Sequence, residues 1–178
     1  MKDIDAEKRR EMAQELAATR DPLTKVYNRS AFEEEVVRHM LGTEEGACGT
    51  LVMLDMDNFK YINDNYGHAV GDQVLKRLAD VLLTTFRRKD IIGRLGGDEF
   101  VVFLKNVTNK EKIDHRMEEL GAALTKGNEY RTTCSVGITF VYQENFSYGE
   151  CLNRADIALY KSKEMGKNRY CYYEEKKS

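Results

Sequence analysis

The sequence predicts an α/β domain, helices layered on a central sheet that contains a hairpin, and three observations carry that prediction. Short apolar runs suited to strands alternate with stretches whose apolar residues recur at helical spacing. Two of those runs, Ile91-Ile92 and Phe100-Val101-Val102-Phe103-Leu104, flank Gly96-Gly97, a pair that turns the chain tightly because glycine accepts positive φ at no steric cost. A third run, Leu51-Val52-Met53-Leu54, ends in Asp55 and Asp57, and a period of two puts both acids on one strand face. The alternation gives the layers, and the hairpin adds an antiparallel pair to the sheet.

In chain order, residues 1–20 form a charged helix with Met12 and Leu16 on one face and no Gly or Pro inside it. Its apolar surface is too small to pack alone, so it reads either as a connecting or dimerising helix or as a frayed chain end. Pro22 punctuates it, and the globular domain is expected over 21–178. From Asn28 the pattern Phe32, Val36, Val37, Met40 is helical, and the loop 42–49 leads to the strand at Leu51. After Asp57 a short polar helix with Phe59 and Ile62 ends at Gly67, and the next helix shows Val74, Leu75, Leu78, Val81 and Leu82 on one face. It leads to Arg87-Arg88-Lys89-Asp90 and the hairpin. Beyond come a helix with Ile113, Met117, Leu120 and Leu124, a strand over 132–142, a helix over 148–165 and a last strand over 169–173.

Composition narrows the partners. The chain has 178 residues, 42% hydrophobic and 33% charged, which suits one domain with a proper core plus an extra helix. A net charge of -2 argues against nucleic acid, which wants a basic surface, so an acidic partner would be small. Cys48, Cys134, Cys151 and Cys171 lack Cys-x-x-Cys spacing, and with no signal peptide they read as reduced packing residues of a cytoplasmic chain. No apolar run approaches the length of a membrane span, so no membrane contact by this chain is expected.

Asp98 and Glu99 follow the two glycines directly. Adjacent carboxylates repel unless water, a base or a cation separates them, which leaves a solvated hairpin tip and a cation site both open. The strand ending in Asp55 and Asp57 leaves the same choice. Brought together by neighbouring strands, Asp55 and Asp98 would hold Mg²⁺, which takes one or two carboxylates together with substrate phosphates and waters. On that chemistry alone a Mg²⁺-dependent nucleotide hydrolase or a single-nucleotide cyclase fits.

Five blocks in order then resemble one family, the GGDEF-domain diguanylate cyclases, from Asp21 to about Tyr173. They are Asp21-Pro22-Leu23-Thr24 with Asn28-Arg29; Asp55 to Asp64; Gly67-His68 with Gly71-Asp72; Gly96 to Phe100; and Tyr160-x-x-Lys163 with Gly166-Lys167-Asn168. The resemblance implies a βααββαβ core with a mainly antiparallel sheet, related to nucleotidyl cyclase and polymerase palm folds. It implies a Mg²⁺-dependent enzyme, with Mn²⁺ as a substitute, that condenses two GTP into cyclic di-GMP across a homodimer with one GTP per subunit.

On the matching positions Asp55, the Met56 carbonyl, Asp98 and Glu99 would hold the metal, and Glu99 would help deprotonate the attacking ribose 3′-hydroxyl. Asn63 and Asp72 would read guanine. Lys163 and Lys167, with Asn58, Phe59 and Lys60, would hold the β- and γ-phosphates. Arg87 and Asp90 match the inhibitory Arg-x-x-Asp site for the cyclic di-GMP product. Two positions depart from the family pattern: Val26 stands where leucine is usual, and Lys167 where many relatives carry arginine, which loses a planar two-pronged phosphate contact. The resemblance also admits a non-catalytic GGDEF module that binds GTP or cyclic di-GMP. The N-terminal helix is expected to continue into an upstream sensory domain.

Overall fold

The computed structural model describes residues 4–175; the first three residues of the expected N-terminal helix and the last three of the expected domain lie outside the described residues. The elements run α1 (Ile4–Thr19), α2 (Arg29–Met40), β1 (Cys48–Met56), α3 (Phe59–Tyr66), α4 (His68–Thr85), β2 (Ile91–Gly96), β3 (Glu99–Lys105), α5 (Lys110–Thr125), β4 (Cys134–Tyr142), α6 (Tyr148–Glu164) and β5 (Arg169–Tyr172). One sheet holds the strands in the order β2-β3-β1-β4-β5. All neighbours are antiparallel except β4 and β5, which α6 joins as a crossover.

β1 is the central strand, and helices cover both its faces, so it is buried along most of its length and does not alternate. Val52, Leu54, Phe100 and Val102 pack on one side with Leu75, Leu78 and Leu82 of α4 and Ile113 and Leu120 of α5. Leu51, Met53, Val101 and Phe103 pack on the other with Phe32 and Val36 of α2 and Ala155 and Leu159 of α6. Odd-numbered positions of β1 and β3 therefore point towards α2 and α6, which sends the Asp55 and Glu99 side chains to that side.

α6 lies very close to the sheet at Gly137. A Cβ there would come within 2.1 Å of the Ala155 carbonyl oxygen and 2.3 Å of the Leu159 nitrogen. This contact fixes the height at which α6, and hence Lys163, sits over the ends of β1 and β3.

The expected elements are present, with local differences. α4 buries Gly71 and Ala79 as well, while Val81 is only partly buried. β4 starts at Cys134, not at 132, because Thr132 is taken up by a turn: its backbone N-H and hydroxyl both donate to Asn128 Oδ1 and its carbonyl accepts from Asn128 Nδ2. α1 buries no residue, and Met12 and Leu16 are exposed. Its end is nevertheless tied down, since Asn28 donates from its backbone to the Thr19 carbonyl and from Nδ2 to the Ala18 carbonyl. No helix among the described residues is long and apolar enough to cross a membrane.

Candidate active site

The turn between β2 and β3 needs its glycines, because Gly96 and Gly97 both have positive φ, 141° and 53°. Arg94 grips it from one side, donating from Nε and Nη2 to the Gly97 carbonyl at 2.9 and 2.7 Å and from Nη1 to both Asp21 oxygens at 3.2 Å. Asp21 also accepts from the Thr24 backbone N-H and hydroxyl. Burial alone would raise Asp21, but Thr24 and Arg94 together hold its carboxyl below the ordinary aspartate value. Arg29 Nε donates to the Leu95 carbonyl. The segment that follows α1 is thus bonded directly to the acid-bearing turn, a role for Asp21, Arg29 and Arg94 that their positions in the sequence do not disclose.

Asp55 stands opposite Glu99 on β3 and opposite Ser135 on β4, and the Met56 N-H donates to the Asp98 carbonyl at 3.3 Å. The sheet therefore gathers Asp55, Met56, Asp98 and Glu99 at one strand end. Lys163, in the last turn of α6, reaches down to Asp55 Oδ2. Burial pulls the Lys163 ammonium down, but Asp55, with Asp98 and Glu99 behind it, outweighs this and holds it above the ordinary lysine value. Burial first, and then Asp55 as hydrogen-bond partner and like charge, pushes Asp98 up to about 7.

The other oxygen of Asp55, Oδ1, is buried without a hydrogen-bond partner among the described residues. An orphaned carboxylate oxygen beside a crowded acid is what a divalent cation relieves, so the donor set fits Mg²⁺. Among the described residues no group of three or more His, Cys, Asp or Glu side chains meets. Asp55, Asp98 and the Met56 carbonyl would supply only part of a shell, as suits an ion that shares itself with phosphates and water.

Crowded acids cost stability when nothing neutralises them. An acid whose native value lies above its unfolded value contributes stability that is complete below about pH 4 and is lost as pH rises through about 7. Asp98→Asn is therefore expected to raise the stability of metal-free protein at pH 8 by about 1 kcal/mol, or roughly 2–4 °C, solvent at this half-exposed rim keeping the gain small. Thermal unfolding in chelator should show the advantage shrinking below pH 7 and gone near pH 4. An advantage that is the same at every pH would mean Asp98 is not crowded.

The phosphate candidates flank this cluster. Asn58 precedes α3 in the left-handed region, φ 56°, and no side chain caps the helix, so its first N-H groups are open to an anion. Lys60 is exposed beside them and Phe59 half-buried. The chain leaves α6 at Met165, as the glycine at 166 predicts, and Lys167 Nζ comes back to Asn58 Oδ1 at 3.0 Å. Asn63 packs its side chain over Gly71, where a Cβ would lie 1.9 Å from Asn63 Oδ1, and Asp72 is exposed on the same turn of α4.

Two predicted features are placed elsewhere. Asp57, just past the end of β1, is buried and bonded to Thr133, Ser135 and Asn168, so it does not join the acid cluster. Arg87 and Asp90 lie at the opposite end of β2 from the Gly-Gly turn and close on each other: Asp90 accepts from Arg87 Nη2 at 2.6 Å, Nε at 3.0 Å and the Arg87 backbone at 2.9 Å. They border a cavity of about 590 Å³ that Arg20, Tyr27, Arg88 and Lys105 also line.

An α+β sheet whose central strands end in paired acids, next to an uncapped helix start and two lysines, defines the class: a domain shaped for a phosphorylated ligand with a divalent cation. Within that class the chain belongs to the GGDEF family, since the family model "Diguanylate cyclase, GGDEF domain" matches residues 18–169. It is 40% identical over 159 residues to the diguanylate cyclase DgcP of Pseudomonas aeruginosa, covering 85% of this chain and 23% of that protein. The coiled coil and GGDEF domain of DgcB from Caulobacter crescentus, solved in complex with c-di-GMP, superimposes with a TM-score of 0.81 at 30% identity, covering 94% of this chain and 93% of that one. Diguanylate cyclase SiaD of Pseudomonas aeruginosa, solved with its activator SiaC, gives 0.80 at 30% identity, covering 94% and 66%. The chain spans less than half the length of the curated relatives it matches.

Proposed function

We propose that this chain is a diguanylate cyclase that condenses two GTP into cyclic di-GMP and two pyrophosphates, acting in the cytoplasm as a homodimer with one GTP per subunit. The observation that carries the reading is the orphaned Oδ1 of Asp55, set opposite Glu99 and beside Lys163 at the sheet end. Membership of the family and the intact Gly96 to Glu99 sequence support it.

Each residue then has a task. Asn63 and Asp72 select guanine, whose N1-H and exocyclic amine are the adjacent donors that a carboxylate accepts and adenine lacks. The open N-H groups at the start of α3, with Lys60, Lys163 and Lys167, hold the β- and γ-phosphates. Asp55, the Met56 carbonyl and Asp98 hold Mg²⁺, which supplies charge neutralisation at the triphosphate when bound. Glu99 accepts the proton of the ribose 3′-hydroxyl. The freed oxygen attacks the α-phosphorus of the GTP on the facing subunit, the bond to the bridging oxygen breaks and pyrophosphate leaves. A second such step closes the ring. α1 serves as the connection through which a partner module sets the distance between two domains.

Arg87 and Asp90 are the proposed feedback site for cyclic di-GMP, a reading supported by the DgcB domain having been solved with that molecule. Their mutual pairing means that product must draw the guanidinium away from Asp90 or use its outer edge. Arg87→Ala is expected to relieve the slowing of the reaction as product accumulates. It should also cost about 1–2 kcal/mol of stability, because Asp90 keeps only its two backbone donors. Progress curves and thermal unfolding read the two effects; slowing that persists would make the pair a brace of the fold alone.

The function itself is tested by incubating the purified chain with GTP and Mg²⁺ and separating the nucleotides by mass-resolved chromatography. Cyclic di-GMP should form at a rate that rises faster than linearly with protein. GDP as sole product would make the chain a hydrolase. GTP that stays intact even when a fused coiled coil forces dimerisation would make it a binding module.

A further inference from the structure

Both segments read above as phosphate-binding contain strained backbone. Asn58 at the start of α3 has φ 56°, and in the α6–β5 connection Lys167 and Asn168 have φ 63° and 46° in succession. Left-handed conformations cost a non-glycine residue on the order of 1 kcal/mol each and persist only where the surroundings over-determine them. One residue adjoins both places, the first through the chain and the second through a side-chain bond. Asp57, 7% exposed, precedes Asn58 directly and accepts from the Asn168 backbone N-H at 3.0 Å through Oδ2.

That carboxylate is anchored in turn by a third segment. Thr133 Oγ1 donates to Oδ2 and Ser135 Oγ to Oδ1, each at 2.6 Å, and the Asp57 N-H donates to the Thr133 carbonyl at 2.8 Å. All the donors to the Asp57 carboxylate are neutral, so this is not an ion pair, and its oxygens are occupied without any metal. Asp57 therefore joins the end of β1, the start of β4 and the loop after α6 at a single point, with Asn58 on one side of it and Lys167 on the other.

We propose that Asp57 is the positioning residue of the triphosphate pocket, holding the start of α3 and the Lys163–Lys167 segment in the one register in which both face the same phosphates. The inference rests on the GTP reading for its ligand, and on the Asp57 bonds alone for its geometry. Positioning of this kind acts through preorganisation, so its loss is felt in proportion to the phosphates a ligand carries. Simple loss of folding would weaken every ligand alike.

The test compares GMP with 3′-deoxy-GTP, which lacks the attacking hydroxyl and is not consumed, by calorimetric titration with Mg²⁺ against wild type and Asp57→Asn. The amide keeps the shape but turns an acceptor into a donor facing donors. Expected is a loss of about tenfold or more for 3′-deoxy-GTP and less than about twofold for GMP. Equal losses for the two ligands, or none, overturn the proposal.

If Asp57→Asn does not fold, Ser135→Ala removes a single donor, and a loss of about three- to fivefold confined to 3′-deoxy-GTP is expected; an unchanged ratio between the ligands overturns the proposal. If wild type binds neither guanine nucleotide, the GTP reading fails separately, and inorganic tripolyphosphate becomes the probe. Weaker tripolyphosphate binding by the variant then supports the clamp and unchanged binding overturns it.

Discussion

Glu99→Gln is expected to lower cyclic di-GMP formation by at least about a thousandfold, while 3′-deoxy-GTP should still bind within about threefold of wild type. Glutamine has the shape of glutamate but cannot take up a proton, so it tests the chemistry without emptying the space. The residue is well placed for that task. It opens β3 directly opposite Asp55, projects to the α6 side of the sheet, and lies in the field of Lys163. Its peptide position is held by the Gly96-Gly97 turn and the Arg94 bonds to the Gly97 carbonyl. Product analysis at saturating GTP gives the rate and titration gives the affinity. A rate within about tenfold of wild type would show that another group, or water, accepts the 3′-hydroxyl proton.

Gly137→Ala should be the most damaging small change to the fold. The added methyl would meet the backbone of α6 at Ala155 and Leu159, not a side chain that could turn away. Relief requires the whole helix to lift. Ala155, Ala158 and Leu159 are buried beneath it, and β4 cannot retreat because β1 and β5 pair with it on both edges. The expected cost is about 3–5 kcal/mol, which for a domain of this size lowers the melting temperature by roughly 10 °C.

Lifting α6 also draws Lys163 from Asp55, so activity should fall further than the folded fraction does. Gly121→Ala in α5 is the matched control. Nothing lies within 4 Å of a Cβ there, and the same methyl should stabilise by about 0.5–1 kcal/mol through helix propensity. If Gly137→Ala melts within about 2 °C of wild type, α6 slides over the sheet more freely than its packing indicates.

Local patterns proved readable wherever the signal was local. Gly67 ends α3, the apolar spacing of α5 marks its four buried residues, and Gly96-Gly97 turns the hairpin, because each depends on neighbours within a few positions. The strand expected from about 132 begins instead at Cys134 for a matching reason. Thr132 has good strand propensity, and the bonds from Asn128 that claim it for a turn win locally.

Asp55, Asp98, Glu99 and Lys163 could be named as a group only through the family blocks. Nothing along the chain says that residues 108 positions apart will touch. Asp57 illustrates the limit more sharply. Its spacing from Asp55 predicts a shared face, but Asp57 lies just past the end of β1, and whereas Asp55 keeps an unpartnered oxygen, Asp57 keeps none. The hydroxyls that make the difference come from β4, 76 and 78 positions away.

The sequence by itself determined the order of elements, the turn that bears the acids and the residue types available for phosphate and cation chemistry. These follow from backbone sterics, periodicity and side-chain chemistry, which act over one or two turns of chain. Only the tertiary structure decided which carboxylate is left open and which is consumed, that Arg87 and Asp90 spend their charges on each other, and that Asp21 and Arg94 tie the start of the domain to its acid-bearing turn. Burial and hydrogen-bond satisfaction settle those outcomes, and both are properties of which segments meet in space.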